Sequence, residues 1–149
     1  MNRRQRYILV NFAIVTVVTV IAAVGMVEMK NNINRSEAMR AMEQLGREVS
    51  DYKQKHGSVP PESYVEERKE SFEGQLRLGS PHYRARWIAF DSPPDTILAY
   101  ARKDYHSLFF RPGAIVLRYD GEVQWMDKAD FDKLLARQQS PMEVEMTLK

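Results

Sequence analysis

The stretch Tyr7–Val27, YILVNFAIVTVVTVIAAVGMV, holds twenty-one residues without a single charge. As a helix rising ~1.5 Å per residue it reaches ~32 Å, about the hydrocarbon thickness of a bilayer. Twelve of its residues are Ile, Leu, Val or Phe. Each favours insertion, and together they supply on the order of −5 kcal/mol. Asn11, the one strongly polar member, sits near an end where its cost is smallest. The segment therefore reads as a membrane anchor, with Tyr7, Phe12, Val18 and Val27 among its lipid-facing residues.

The flanks orient it. Arg3, Arg4 and Arg6 precede the run, whereas Glu28 and Lys30 follow it and cancel. The positive-inside rule places residues 1–6 in the cytoplasm and everything after Val27 on the far side. A cleaved secretory signal is the competing reading, with Ala23-Val24-Gly25 as a small-x-small site. The length of the run exceeds the core of an ordinary signal and favours an anchor that is kept.

Of the 149 residues, those after the anchor suffice for one modest domain and not two. The net charge of +2 is carried by the flank. Setting Arg3, Arg4 and Arg6 aside from the 22 basic side chains leaves 19 against 20 acidic ones. Such a domain has no electrostatic footprint for nucleic acid. With no cysteine, disulfides, thiol nucleophiles and thiolate metal sites are excluded.

Residues 28–36 are polar, with Asn31, Asn32 and Asn34 close together, and read as a junction or hinge. A second helix is expected beyond it, capped by Asn34 or Ser36. Ala38, Met42, Leu45, Val49 and Tyr52 recur at steps of four and three, which puts all five on one face. His56-Gly57 and then Pro60-Pro61 end it. The apolar face needs a partner. The spacing lasts barely two heptads, short of a convincing coiled coil, so packing on the chain's own sheet is preferred.

Residues 58–81 read as a loop with one short helix around Glu62–Ser71. Strands are expected at Arg84–Phe90, Thr96–Arg102 and Ser107–Phe110. The clearest local signal is Asp120-Gly121 between Ala114–Tyr119 and Glu122–Met126, a two-residue hairpin turn. Asp127 then caps a short helix carrying Phe131, Leu134 and Leu135, and residues 141–149 read as a polar tail. The fold class is α+β: an anchor helix, a long amphipathic helix on a small antiparallel sheet of three or four strands, and a short C-terminal helix. The folded domain comprises residues 37–140.

This layout resembles the type IV pilin and type II secretion pseudopilin superfamily. Ala38–Leu45 running on to Tyr52-Lys53-Gln54-Lys55-His56-Gly57-Ser58-Val59-Pro60 is similar to the exit of the pilin helix. Arg111–Val123, with Asp120-Gly121, is similar to the closing hairpin of prepilin-like bacterial proteins. Their signature places a His ten residues before the Asp, where this chain has Phe110. No Gly precedes Gly25 and no Glu precedes Glu28, so the prepilin processing signal and the glutamate that registers filament subunits are missing. The resemblance implies a pilin-like domain on an unprocessed anchor, in a bacterial envelope or secretion assembly.

Candidate chemistry is sparse. His56, His82 and His106 share no metal-ligand spacing, and Asp91 and Asp95 lie in a Pro-rich turn better suited to structure than to calcium. No phosphate loop, nucleophile elbow or zinc helix is present. No cofactor is expected. Trp87, Trp125, Tyr100 and Phe109 read as core residues or, if exposed, as an interaction surface. The expected function is a non-enzymatic, single-pass assembly protein whose partners are lipid and other membrane or secretion proteins, itself included. A membrane-tethered ligand-binding module and a short coiled-coil scaffold are the alternatives.

Overall fold

A computed structural model describes residues 2–69, 71–89, 91–105, 107 and 109–147. The chain opens with one helix, α1 (Arg3–His56), of 54 residues, which makes it ~81 Å long. Two short helices follow, α2 (Glu62–Lys69) and α3 (Gln75–Leu78). Then come β1 (His82–Tyr83), a 3-10 turn at Ala85–Trp87, β2 (Ile97–Lys103), β3 (Gly113–Arg118) and β4 (Val123–Asp127). Helices α4 (Lys128–Gln138) and α5 (Pro141–Thr147) close the chain. The strands form an antiparallel meander in the order β1-β2-β3-β4. The architecture is α+β, as the pattern of elements predicts.

The expected junction at 28–36 is not a break. No new helix is capped at Asn34 or Ser36, because α1 runs straight through. Asparagine costs a helix only a few tenths of a kcal/mol per residue, whereas starting a second helix costs a new nucleus. Neither Pro nor Gly interrupts the segment, and Asn31, Asn34 and Arg35 are half-buried against the domain. At its other end α1 stops where expected. Gly57 takes a φ of 71°, and its N–H returns to the Lys53 carbonyl at 2.8 Å.

Along α1, Ala38, Met42, Leu45 and Val49 are all buried, with Tyr52 half-buried at the end of the stripe. They meet Leu98, Ala99, Ala101, Ile115 and Leu117 in one core. Burying Met42, Leu45 and Val49 contributes on the order of 6 kcal/mol. The stripe is used by this chain's own sheet, so the coiled-coil alternative has no apolar face left here. Residues 58–81 wrap the same helix. The Tyr64 hydroxyl donates to Glu48, the Glu73 N–H to Gln44 at 3.0 Å, and Arg77 pairs with Glu37 at 3.3 Å.

The sheet is covered on both faces rather than one. Ile97, Tyr100, Ala114 and Val116 point the other way and pack under Phe131 and Leu135 of α4. This explains why β3 is buried along five consecutive residues instead of alternating. A register shift between Ile97 and Ala99 turns both Leu98 and Ala99 toward α1.

Three further expectations are corrected. Arg84–Phe90 is not a strand: β1 ends at Tyr83, and the chain bends into the 3-10 turn as the Arg84 side chain is drawn inward. Phe90 lies outside the described residues. Ser107, Phe109 and Phe110 form no strand, since the hairpin closes where Lys103 pairs with Gly113; Leu108 lies outside the described residues. Pro141–Thr147, read above as tail, is a helix with Glu143 buried.

That last helix is held by a buried ion pair. Arg84 Nε meets Glu143 Oε1 at 2.6 Å and Nη2 meets Oε2 at 2.9 Å, with both side chains 1% exposed. Ser140 caps the helix by accepting from the Glu143 N–H at 3.2 Å.

Candidate functional site at the membrane exit

The first part of α1 stands clear of the other described residues. Its apolar window is entirely unburied, with Tyr7, Phe12, Val18 and Val27 all exposed. Thr16 Oγ1 donates to the Phe12 carbonyl at 2.9 Å and Thr19 Oγ1 to that of Val15 at 2.8 Å. Back-bonding of this kind satisfies both hydroxyls inside the helix, as hydrocarbon demands. So continuous an apolar surface far exceeds the patches that soluble monomers expose. The chain has one N-terminal helix long and apolar enough to span a membrane.

Just beyond the apolar run, α1 presents Glu28, Asn31 and Arg35 at steps of three and four, hence on one face. Two described residues of the β2–β3 connection, Ser107 and Phe110, close on that face. Ser107 Oγ donates to Glu28 at 2.5 Å and accepts from the N–H groups of Phe109 (3.0 Å) and Phe110 (2.9 Å). One hydroxyl thus joins the loop to the first charged residue after the anchor and folds the loop into a turn.

Two helical turns higher sits an aromatic cluster around Arg35. Its guanidinium lies 4.3 Å from the Trp125 ring centroid and 5.9 Å from that of Phe110. Such a half-buried cation–π contact is worth about 1 kcal/mol. Tyr105 stacks on Trp125 at 5.9 Å and meets Phe110 edge-on at 6.3 Å. Burial raises the Tyr105 pKa above its ordinary value, and the Arg35 charge opposes that rise. The Tyr105 hydroxyl and Asn31 Nδ2 are buried with no hydrogen-bond partner among the described residues. Trp125 fits because Gly113 lacks a side chain: a Cβ there would sit 2.6 Å from the indole.

The loop divides its aromatics. Phe110 faces inward to Arg35, while Phe109 is 76% exposed. Arg111 is exposed beside it. Of the other aromatics singled out above, Tyr100 is buried under Phe131 at 5.0 Å. Trp87 is half-buried and lines a groove of about 580 Å³ with Tyr52, Pro60, His82, Arg86 and Met146.

The remaining candidates are scattered. His56 lies exposed at the end of α1, His82 stacks on Tyr100 at 5.0 Å, and His106 is outside the described residues. Asp91 and Asp95 are exposed in their turn. Among the described residues no three His, Asp or Glu side chains are grouped to hold a metal ion. The hairpin falls where expected but turns over three residues, Tyr119-Asp120-Gly121, not two. The Arg118 N–H donates to the Glu122 carbonyl at 2.9 Å, and the Gly121 N–H returns to the Arg118 carbonyl at 3.0 Å. Gly121 alone of the three takes a positive φ, 93°, while Asp120 Oδ1 accepts from the Glu122 N–H at 2.9 Å.

Sequence reasoning missed this collar around α1 because its members, Glu28, Arg35, Tyr105, Ser107, Phe110 and Trp125, are brought together only by the tertiary fold. It missed α5 despite a local signal. Ser140-Pro141-x-Glu143 places a cap residue, a proline at the first helical position and a glutamate at the third. In comparisons with known proteins, no family model, no curated protein and no solved structure matches the chain.

Proposed function

We propose that this chain is a single-pass membrane protein working as a structural, pilin-like assembly subunit, with residues 1–6 in the cytoplasm and the α+β domain on the opposite side. One observation carries the reading. The helix with an unpartnered apolar half is, without a break, the helix whose other half builds the domain core. A continuous helix fixes the domain's height and heading above the lipid, as an assembly subunit requires. A flexible tether does neither. The basic flank supports the orientation through the positive-inside rule.

The absence of cysteine makes the test direct. Single Asn2→Cys and Lys55→Cys variants of the full chain are exposed to a membrane-impermeant maleimide on intact bacterial cells. Position 55 labels from outside and position 2 only after permeabilisation; the reverse pattern sinks the orientation. Oxidative crosslinking of a Val18→Cys variant in membranes yields covalent oligomers if the anchors associate. A purely monomeric product argues against self-assembly.

The groove beside Trp87 favours a second reading, a membrane-tethered module for an extracellular ligand. Aromatic rings beside His82 and Arg86 suit a polymer with both apolar faces and hydroxyls. Trp87→Ala abolishing retention on a cell-wall polymer would favour this reading over the scaffold.

A further inference from the structure

We infer that the β2–β3 connection is a second contact with the lipid surface, with Phe109 seated at the headgroup boundary beside the exit of α1. The inference rests on the anchor reading and adds to it a specific partner, the interfacial layer of the same bilayer.

Height is the first argument. The apolar run ends at Val27, and Ser107 bonds to Glu28, the very next residue. The Arg35 cluster lies seven residues further along, ~10 Å above. The loop therefore descends from that cluster to the level at which the helix leaves the hydrocarbon. Orientation is the second argument. Because Ser107 Oγ accepts from the N–H groups of Phe109 and Phe110, the turn is closed, and it splits two adjacent rings. Phe110 goes in against Arg35, and Phe109 goes out, exposed.

Chemistry is the third. Aromatic rings are enriched where a membrane protein crosses the interface. Lys30, two residues beyond Glu28, and Arg111, two residues beyond Phe109, are both exposed, with charges suited to lipid phosphates. Continuity with the anchor makes lipid the occupant: whatever touches α1 at Glu28 also lies against the loop tip. The consequence is mechanical. A helix alone is free to spin about its axis, whereas a helix with a side contact holds one face of the domain toward the bilayer.

The test uses the full chain in phosphatidylcholine–phosphatidylglycerol vesicles. Nitroxide labels are placed singly at Phe109→Cys, Arg111→Cys, Val15→Cys and Lys55→Cys. Power saturation then compares collisions with oxygen, which favours lipid, and with a water-soluble nickel chelate. The expected oxygen-to-chelate ratio at 109 is several-fold above that at 55 and below that at 15. Adding Phe109→Asp to the Arg111→Cys variant lowers the ratio at 111 toward the value at 55. Position 109 matching position 55, or being shielded from both probes as against another protein, overturns the inference, as does a ratio at 111 indifferent to Phe109→Asp. If position 15 itself reads as aqueous, the anchor reading falls and takes this one with it. If 15 reads as lipid and 109 as water, only the loop contact is lost.

Discussion

Arg84 and Glu143, 59 residues apart in the chain, face each other through two parallel hydrogen bonds of 2.6 and 2.9 Å. The guanidinium also donates to the Ile97 carbonyl at 2.7 Å and the Gln138 carbonyl at 3.1 Å. Nearly all its donors are thus satisfied inside the protein, which is what makes a buried charge tolerable. Gln138 completes the junction by accepting from the Ile97 N–H at 2.7 Å.

Removing one partner should cost far more than removing both. Glu143→Ala or Arg84→Ala each leaves an uncompensated buried charge, an expected loss of about 3–5 kcal/mol. The double replacement Arg84→Met with Glu143→Leu keeps the volume and strands no charge, so it should recover most of that loss. Urea unfolding of the full chain in detergent measures all three. Single variants within 1 kcal/mol of wild type would show that the pair does not hold α5 in place.

Gly113 is fixed by its neighbours rather than by its backbone angles. A Cβ there runs into the Met126 carbonyl and the Trp125 indole. Gly113→Ala should therefore destabilise the domain by about 1–3 kcal/mol and shift Trp125 emission as the ring leaves Arg35. Gly46→Ala is the control, because its Cβ meets the movable tip of Leu117 at 3.0 Å. Its melting temperature should fall less.

Alkaline pH should unfold the domain through its buried tyrosines. The Tyr83 hydroxyl donates to the Pro60 carbonyl at 2.9 Å. Burial, with a smaller effect from Tyr52, pushes its pKa well above the ordinary 10.0. Above that pH the unfolded chain releases this proton and the folded chain keeps it, so stability falls as pH rises. Tyr100 has the same sign, raised chiefly by burial. Lys103 has the opposite sign. Burial lowers its pKa, so its cost to the folded state is relieved as pH approaches 10.5. Thermal melts from pH 8 to 12 should show a net decline beginning near 10, shallower in Tyr83→Phe.

Tyr105→Phe should stabilise. The hydroxyl is buried without a hydrogen-bond partner among the described residues, while the ring's contacts to Trp125 and Phe110 survive the change. Relieving one unsatisfied group is worth about 1 kcal/mol. A lower melting temperature for this variant would mean that the hydroxyl has a use the collar geometry does not reveal.

Several elements were legible because their causes are local. The Asp120-Gly121 hairpin, the stop at Gly57 and the helical face from Ala38 to Val49 each follow from backbone preference or side-chain period over a few residues. Strands β2, β3 and β4 are each displaced by one residue from the expected runs. The error at Arg84–Phe90 has a distant cause: a bidentate partner 59 residues away draws Arg84 inward, and no window on that segment contains Glu143.

Sequence by itself determined the membrane-length helix, the amphipathic continuation, the three strands β2 to β4 and helix α4, since apolar content and periodicity act through nearest neighbours along the chain. Only the tertiary structure decided that the two helices are one, that the sheet is buried on both faces, and that residues from 28, 35, 107 and 125 share a collar. Those outcomes turn on free energies of burial and pairing between segments far apart in sequence. Three asparagines lower helix propensity a little, and the packing of Asn31, Asn34 and Arg35 against the domain outweighs them.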